Sequence, residues 1–186
     1  MNTIDYFFSL SSVWSYLVSE RVKDLVAQHG MQVRYMPVAS VSRDRNQVAN
    51  ADSPQVDAPT SQTVPDTDLA TRVVIAAQHH GIDVAPLVDK LLRAQWCEEQ
   101  SVADEAALRT ILHAARLDDE LLLEKAGTQD MKVSANEIAD KARAHGMNGP
   151  PLWVYRGEVF QGPRSLVHLT QAIWRNKAHG DPSRNP

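Results

Sequence analysis

Residues 4–17 read IDYFFSLSSVWSYL, an apolar and aromatic run that ends in serines and leads into a second apolar pattern. The run over residues 4–10 is short and continuous, which is typical of a buried β-strand. Over Val13–His29 the apolar side chains recur at helical spacing, and Gly30 follows where a left-handed helix cap would lie. This stretch therefore predicts a strand that leads directly into a helix capped by serine.

The next two segments extend this unit. Residues 31–36 alternate apolar and polar side chains and close at Pro37, which predicts a second strand. Strand, helix and strand in this order favour a parallel pair with a right-handed crossover. Residues 38–68 carry prolines among Ser, Asp, Asn, Gln and Thr, and about thirty residues of this kind predict a mobile loop or lid.

The rest of the chain predicts helices, a hairpin and a last helix. Helical patterns cover residues 69–80, 86–99, 103–115, 119–126 and 136–145. After Gly149-Pro150-Pro151, the segments Leu152–Tyr155 and Glu158–Gln161 predict a β-hairpin, and residues 166–174 predict the last helix.

This order of elements is that of an α/β protein with a thioredoxin-like fold and an inserted all-helical domain. We expect the thioredoxin-like domain to comprise residues 1–40 and 130–180. The loop and the helical insertion would occupy residues 41–129, and residues 181–186 would form a frayed tail.

Size and composition narrow the class of protein. The 186 residues, 43% of them hydrophobic, are ordinary for one domain with its own core. The 19 basic and 23 acidic residues give a formal net charge of -4, the wrong sign for a dedicated nucleic-acid binder. No stretch approaches the roughly 18 consecutive apolar residues that a membrane span needs. We expect no nucleic-acid partner and no membrane insertion.

The numbers and positions of the cysteines and histidines limit the redox chemistry and the metal binding that the chain can support. The single cysteine, Cys97, excludes an intrachain disulfide and a Cys-x-x-Cys pair, and it favours a cytoplasmic protein. Its acidic neighbours Glu98 and Glu99 would raise the pKa of the thiol, so we expect no catalytic role for it. The histidines at 79 and 80 have no further histidine at metal-ligand spacing, so we predict no metal site.

Two signals predict one functional site. A thioredoxin fold places function at the N-terminus of its first long helix, where unpaired N–H groups favour an anion. Here that place holds Ser11 and Ser12, and a serine there is most simply a helix cap that contributes about 1 kcal/mol. The second signal is Pro150-Pro151 before a strand, because a cis-proline loop in this fold lies beside the same helix N-terminus.

The motifs at both ends of the chain resemble one family. Residues 5–17, 33–35, 149–154 and 157–162 are similar to the 2-hydroxychromene-2-carboxylate isomerases, relatives of the kappa-class glutathione transferases in the DsbA-like thioredoxin superfamily. The resemblance implies a DsbA/kappa-like fold, a homodimer, glutathione as cofactor and a small aromatic or conjugated carboxylic acid as substrate. It implies that Ser12 is the catalytic residue, donating a hydrogen bond to the glutathione sulfur while the helix dipole lowers the thiol pKa.

The resemblance also implies a set of cofactor-binding residues around the proline loop and the turn after the hairpin: Pro150, Pro151, Leu152, Gly162, Arg164 and Ser165. Two of them depart from the family's pattern. Pro150 has no N–H to donate. Arg164 stands where the family has an acid, and a positive charge there favours a carboxylate or phosphate over an ammonium group.

The remaining candidates belong to a predicted substrate pocket: Tyr6, Trp14, Ser15, Arg43 and Trp96. Large aromatic side chains are core filling by default, and loop arginines are most often solvated. The alternatives to an isomerase are a kappa-type glutathione transferase and a DsbA-like binding protein with an altered ligand or no catalysis. A dithiol-disulfide oxidoreductase is disfavoured, because Ser12 and Ser15 hold the places of its two cysteines.

Overall fold

The computed structural model describes residues 2–39, 67–98, 100–162 and 164–179. Its elements, in chain order, are β1 (Thr3–Phe8), α1 (Val13–His29), β2 (Gln32–Pro37), α2 (Asp68–His79), α3 (Ala85–Cys97), α4 (Glu105–Ala114), α5 (Asp119–Gly127), α6 (Gln129–Ala144), β3 (Leu152–Tyr155), β4 (Glu158–Gln161) and α7 (Ser165–His179). The predicted order of elements is therefore observed. Residues 40–66 of the predicted loop or lid, with Arg43, and the tail over residues 181–186 lie outside the described residues.

The strands form one mixed sheet of order β2-β1-β3-β4. β1 pairs parallel with β2 and antiparallel with β3, and β3 pairs antiparallel with β4. Helices α2 to α6 lie between β2 and β3 in the chain. This arrangement confirms the predicted α/β, thioredoxin-like fold with a helical insertion.

The helix α1 begins and ends where the sequence predicts. Ser12 is its N-cap, and Gly30 ends it with a φ of 59°, in the left-handed region. The Gly30 N–H donates to the Val26 carbonyl over 2.9 Å, which pairs one of the last carbonyls of the helix.

Two helices are longer than predicted. The sixth, α6, begins at Gln129, seven residues before the predicted start at Asn136, and α7 extends to His179 rather than to residue 174. α6 buries Met131, Ile138 and Ala142. The first turns were missed because Val133 is exposed there, so the apolar pattern does not mark a single face.

The core around β1 is aromatic. Along β1, the side chains of Tyr6, Phe7 and Phe8 are almost completely buried. The Trp153 ring on β3 is fully buried and stacks on the Tyr6 ring, with 4.0 Å between the ring centroids and 9° between the planes. The close packing of these rings therefore fixes the strand that leads into the serine-rich turn.

Candidate functional site

Ser12 links the start of α1 to the proline loop. Its backbone is extended, with φ -108° and ψ 114°, and its Oγ accepts a hydrogen bond from the Ser15 N–H over 3.4 Å. The same hydroxyl donates to the Pro150 carbonyl oxygen over 3.4 Å. The two places that the sequence singled out, 138 residues apart, are thus brought into contact.

The proline loop lies at the end of the sheet where α1 begins. The bond between Pro150 and Pro151 is cis. β3 starts at the next residue, Leu152, which pairs with Phe7 near the end of β1. The loop therefore faces the N-terminal turn of α1, with Ser12 between them.

The electrostatics of this turn favour an anion. α1 is 17 residues long and has no acidic residue in its first turn. The positive end of its dipole is therefore not neutralised there, and a thiolate, carboxylate or phosphate near Ser12 is stabilised.

Ser15 supports the turn from inside. It is completely buried, and its Oγ accepts a hydrogen bond from the Ser9 N–H over 3.2 Å. The Ser12 N–H donates to the Ser9 carbonyl over 3.1 Å. Ser15 was predicted to line the substrate pocket, but its burial and its bond to Ser9 give it a structural role in this turn.

The structure also corrects the prediction that Tyr6 lines the substrate pocket. Its side chain is fully buried between Phe8 and Trp153, so it does not face a ligand at Ser12. Its hydroxyl donates to the Ser15 carbonyl over 3.3 Å. Burial raises the pKa of Tyr6, which keeps it a neutral hydrogen-bond donor.

Replacing Ser15 by alanine is expected to destabilise the protein by about 1–3 kcal/mol, because the buried Ser9 N–H loses its partner. The free energy of unfolding in urea measures this effect. Ser134→Ala on α6 is the control, since Ser134 is not part of the turn. A loss no greater than that of the control would show that Ser9 finds another partner.

The helical insertion contacts this turn through the end of α3. The Trp96 indole Nε1–H donates to the Leu10 carbonyl over 3.1 Å. The Cys97 thiol donates to the Tyr16 hydroxyl oxygen over 2.8 Å. Trp96 was predicted as a pocket residue, whereas its indole N–H is used in holding the chain before Ser12.

Sequence reasoning missed Tyr16 and gave Cys97 no role. The available signal was spacing, because Tyr16 lies four residues after Ser12 and so on the same face of α1. Nothing in the sequence identified Cys97 as its partner. Trp14, the remaining aromatic candidate, lies in the first turn of α1 and is partly buried.

The predicted cofactor-binding residues divide into accessible and buried ones. The Leu152 side chain is fully buried within the sheet, and Ser165 is 2% exposed with its Oγ accepting from the Trp153 indole N–H over 3.2 Å. Neither of these side chains faces solvent. Pro150, Gly162 and Arg164 are at least partly exposed, and Pro151 is buried.

Arg164 lies at the start of α7. Its carbonyl accepts from the Val167 N–H over 3.1 Å, and its side chain is exposed. Among the ion pairs of the described residues, none includes Arg164. Because Leu152 pairs with Gln161, the turn that leads to Arg164 runs beside the proline loop.

Two other features are absent from the part of the chain that the structure describes. No cluster of three or more His, Cys, Asp or Glu side chains is arranged to hold a metal ion. No helix there combines the length and the apolar character needed to cross a membrane.

A protein-family model matches most of the chain. Residues 3–174 match the family model described as a DSBA-like thioredoxin domain. The search of curated proteins found no match.

Solved structures with this fold include isomerases and disulfide-handling proteins. A 2-hydroxychromene-2-carboxylate isomerase superimposes with a TM-score of 0.76 at 16% identity, covering 95% of this chain and 97% of the isomerase. The cytosolic disulfide reductase DsbM from Pseudomonas aeruginosa, determined with GSH, gives 0.68 at 15% identity over 93% of this chain and 99% of its own. DsbA from the same organism gives 0.64 at 13% identity, over 96% and 86%. At these identities the likeness shows a shared fold.

Proposed function

This chain belongs to the DSBA-like thioredoxin domain family, and from that premise we propose that it is a glutathione-dependent isomerase of the 2-hydroxychromene-2-carboxylate type. The observation that carries the proposal is the Ser12 hydroxyl, which lies between the α1 N-terminus and the Pro150 carbonyl. Its substrate would be a small aromatic or conjugated carboxylic acid. A cytoplasmic location, which rests on the single cysteine, and a homodimer, which rests on the resemblance, belong to the same proposal.

The site fits the sulfur end of a thiol ligand. Ser12 offers one hydroxyl donor, and the N-terminus of α1 offers a positive potential with no acid in the first turn. Cysteines are absent from the positions of Ser12 and Ser15, so the thiolate has to come from a ligand. Support also comes from DsbM, a protein with this fold whose structure was determined with GSH.

The residues of the chain have defined tasks in this reaction. Bound glutathione would supply a thiolate that adds to a conjugated double bond, permits rotation and leaves unchanged. Ser12 would donate its hydroxyl proton in a hydrogen bond to the sulfur, in exchange for its 3.4 Å bond to the Pro150 carbonyl. The α1 dipole would lower the pKa of the thiol. No net oxidation would take place, so the reaction needs no pair of redox cysteines at positions 12 and 15.

Calorimetric titration with reduced glutathione tests the proposal. We expect saturable binding in the micromolar to millimolar range that weakens in Ser12→Ala. S-methylglutathione, which has no thiol, is the matched ligand control, and it should bind both proteins equally. If glutathione does not bind the unmodified chain, the isomerase proposal fails. Insulin reduction, measured in parallel, is expected to be absent, and its presence would favour a disulfide reductase.

The altered-ligand binding protein is a second candidate, favoured by Pro150 and Arg164. Pro150 cannot donate a backbone hydrogen bond to a peptide-like ligand. Arg164 is exposed and has no ion-pair partner among the described residues, so it is available to an anionic group. A kappa-type transferase would be recognised by consumption of glutathione with an electrophile, because an isomerase returns it.

The charge at Arg164 gives a direct prediction. Arg164→Ala is expected to weaken binding of an anionic ligand by about fivefold, which corresponds to about 1 kcal/mol for a charge-assisted bond at an exposed position. Titration of the variant with inorganic phosphate measures the change, and Arg143→Ala on α6 is the control. An affinity equal to that of the control would remove Arg164 from the ligand site.

A further inference from the structure

We propose that Trp96 and Cys97, which are neighbours at the end of α3, are positioning residues that hold the Ser12 hydroxyl in place from the helical insertion. This inference rests on the proposed function, because it concerns the placement of the group that would bind the thiol. The two residues act on opposite sides of Ser12, one on the chain before it and the other on the helix turn after it.

The first contact fixes the chain before Ser12. The Trp96 indole N–H donates to the Leu10 carbonyl over 3.1 Å, within the usual range for such a bond. The Leu10 side chain is fully buried, so this residue is held by its side chain and by its carbonyl. With the peptide plane after Leu10 fixed, the direction in which Ser12 enters the helix is restricted.

The second contact fixes the helix turn after Ser12. The Tyr16 N–H donates to the Ser12 carbonyl over 3.2 Å and closes the first turn of α1. The Tyr16 hydroxyl accepts from the Cys97 thiol over 2.8 Å. The residue that bonds the Ser12 backbone is therefore tied to α3 by its side chain.

The Ser12 side chain needs this support because its own bonds are long. Its contacts with the Ser15 N–H and the Pro150 carbonyl are both 3.4 Å, beyond the 3.2 Å and 3.0 Å at which N–H···O and O–H···O bonds normally end. These bonds alone orient the hydroxyl weakly. Since a misplacement of about 1 Å at a reacting group can cost about 100-fold in rate, the backbone contacts decide how well Ser12 meets a thiol.

The helical insertion would therefore help to position Ser12 in the proposed reaction. α3 belongs to the helical block between β2 and β3, whereas Ser12 belongs to the β1–α1 connection. Trp96 and Cys97 are consecutive residues, so a shift of the end of α3 would displace both contacts together. The placement of Ser12 is in this way coupled to the placement of the helical block.

Trp96→Phe tests the first contact, because it keeps an aromatic ring and removes the N–H. We expect kcat to fall about tenfold with KM within about twofold, and the pKa of bound glutathione, followed by thiolate absorbance, to rise. Amide exchange at Ser12 and Tyr16 should become faster. Trp174→Phe is the control, since Trp174 is 62% exposed on α7.

Cys97 supplies a rescue experiment for the second contact. Cys97→Ala removes the donor to Tyr16 and is expected to raise the pKa of bound glutathione and to speed amide exchange at Tyr16. Cys97→Ser keeps a donor and is expected to restore both towards the unsubstituted values. Equal behaviour of the two variants would overturn the role of Cys97.

The readouts separate this proposal from the proposed function. If glutathione does not bind the unsubstituted chain, the isomerase proposal fails, while amide exchange at Ser12 and Tyr16 still reports whether α3 holds the turn. If glutathione binds but Trp96→Phe leaves kcat, the bound-thiol pKa and amide exchange unchanged, the positioning role is refuted. If Trp96→Phe changed these readouts only through a general loss of stability that Trp174→Phe shares, the positioning role would also be refuted.

Discussion

Ser12→Ala is expected to lower turnover by more than tenfold in a chain that remains folded. The substitution removes the hydroxyl that lies between the α1 N-terminus and the Pro150 carbonyl, and with it the hydrogen bond that we propose it donates to a bound thiolate. Loss of one hydrogen-bond donor to a developing negative charge lowers kcat by about 100- to 1,000-fold in well-studied enzymes. The charge on a sulfur is diffuse, so we expect the effect here to lie nearer the lower of these values. Steady-state rates with 2-hydroxychromene-2-carboxylate and saturating glutathione measure the effect.

The loss of rate has to be separated from a loss of structure. Ser12 is also the N-cap of α1, so the same substitution is expected to cost about 1 kcal/mol of stability. Urea unfolding followed by circular dichroism measures this change in the free energy of unfolding. Ser134→Ala on α6 is the matched serine control and is expected to keep full turnover. Full turnover in folded Ser12→Ala would remove Ser12 from the mechanism.

Trp153→Ala is expected to lower the free energy of unfolding by about 3–5 kcal/mol. The Trp153 ring is fully buried and stacks on Tyr6 at 4.0 Å, so truncation leaves a cavity in the centre of the sheet. The substitution also removes the indole N–H that donates to the buried Ser165 hydroxyl over 3.2 Å. Urea unfolding monitored by far-UV circular dichroism measures the change.

A second tryptophan provides the control for that prediction. Trp174 on α7 is 62% exposed, although its ring contacts the His29 ring at 5.4 Å between centroids. Trp174→Ala is therefore expected to cost less than about 1 kcal/mol. If Trp153→Ala cost no more than Trp174→Ala, the sheet would have to repack around the missing ring, and the core described above would be less constrained than its burial indicates.

The elements nearest the site were predictable because their signals are local. The β1 run, the Ser12 cap and the Gly30 terminus each follow from a few neighbouring residues and their backbone preferences. The start of α6 was not, because Val133 interrupts the apolar face that Met131 and Ile138 mark. Periodicity fails where an exposed apolar residue lies beside the buried ones.

The site was predictable in outline. Ser12 and Pro150 were expected to be neighbours, and they are joined by a hydrogen bond. The lining of the site was not predictable, since Tyr6 and Ser165 are buried and Trp96 uses its N–H on the backbone. An aromatic or hydroxyl side chain looks the same in a sequence whether it faces a ligand or the core.

The sequence by itself determined the order of the elements, the caps of α1 and the place of the serine and proline signals, because each depends on residues close together in the chain. Only the tertiary structure decided which side chains surround Ser12. Trp96 reaches Leu10 across 86 residues and Cys97 reaches Tyr16 across 81. Such contacts depend on how the helical insertion packs against α1, and the direction of a single indole N–H or thiol is fixed by that packing rather than by any local preference of the backbone.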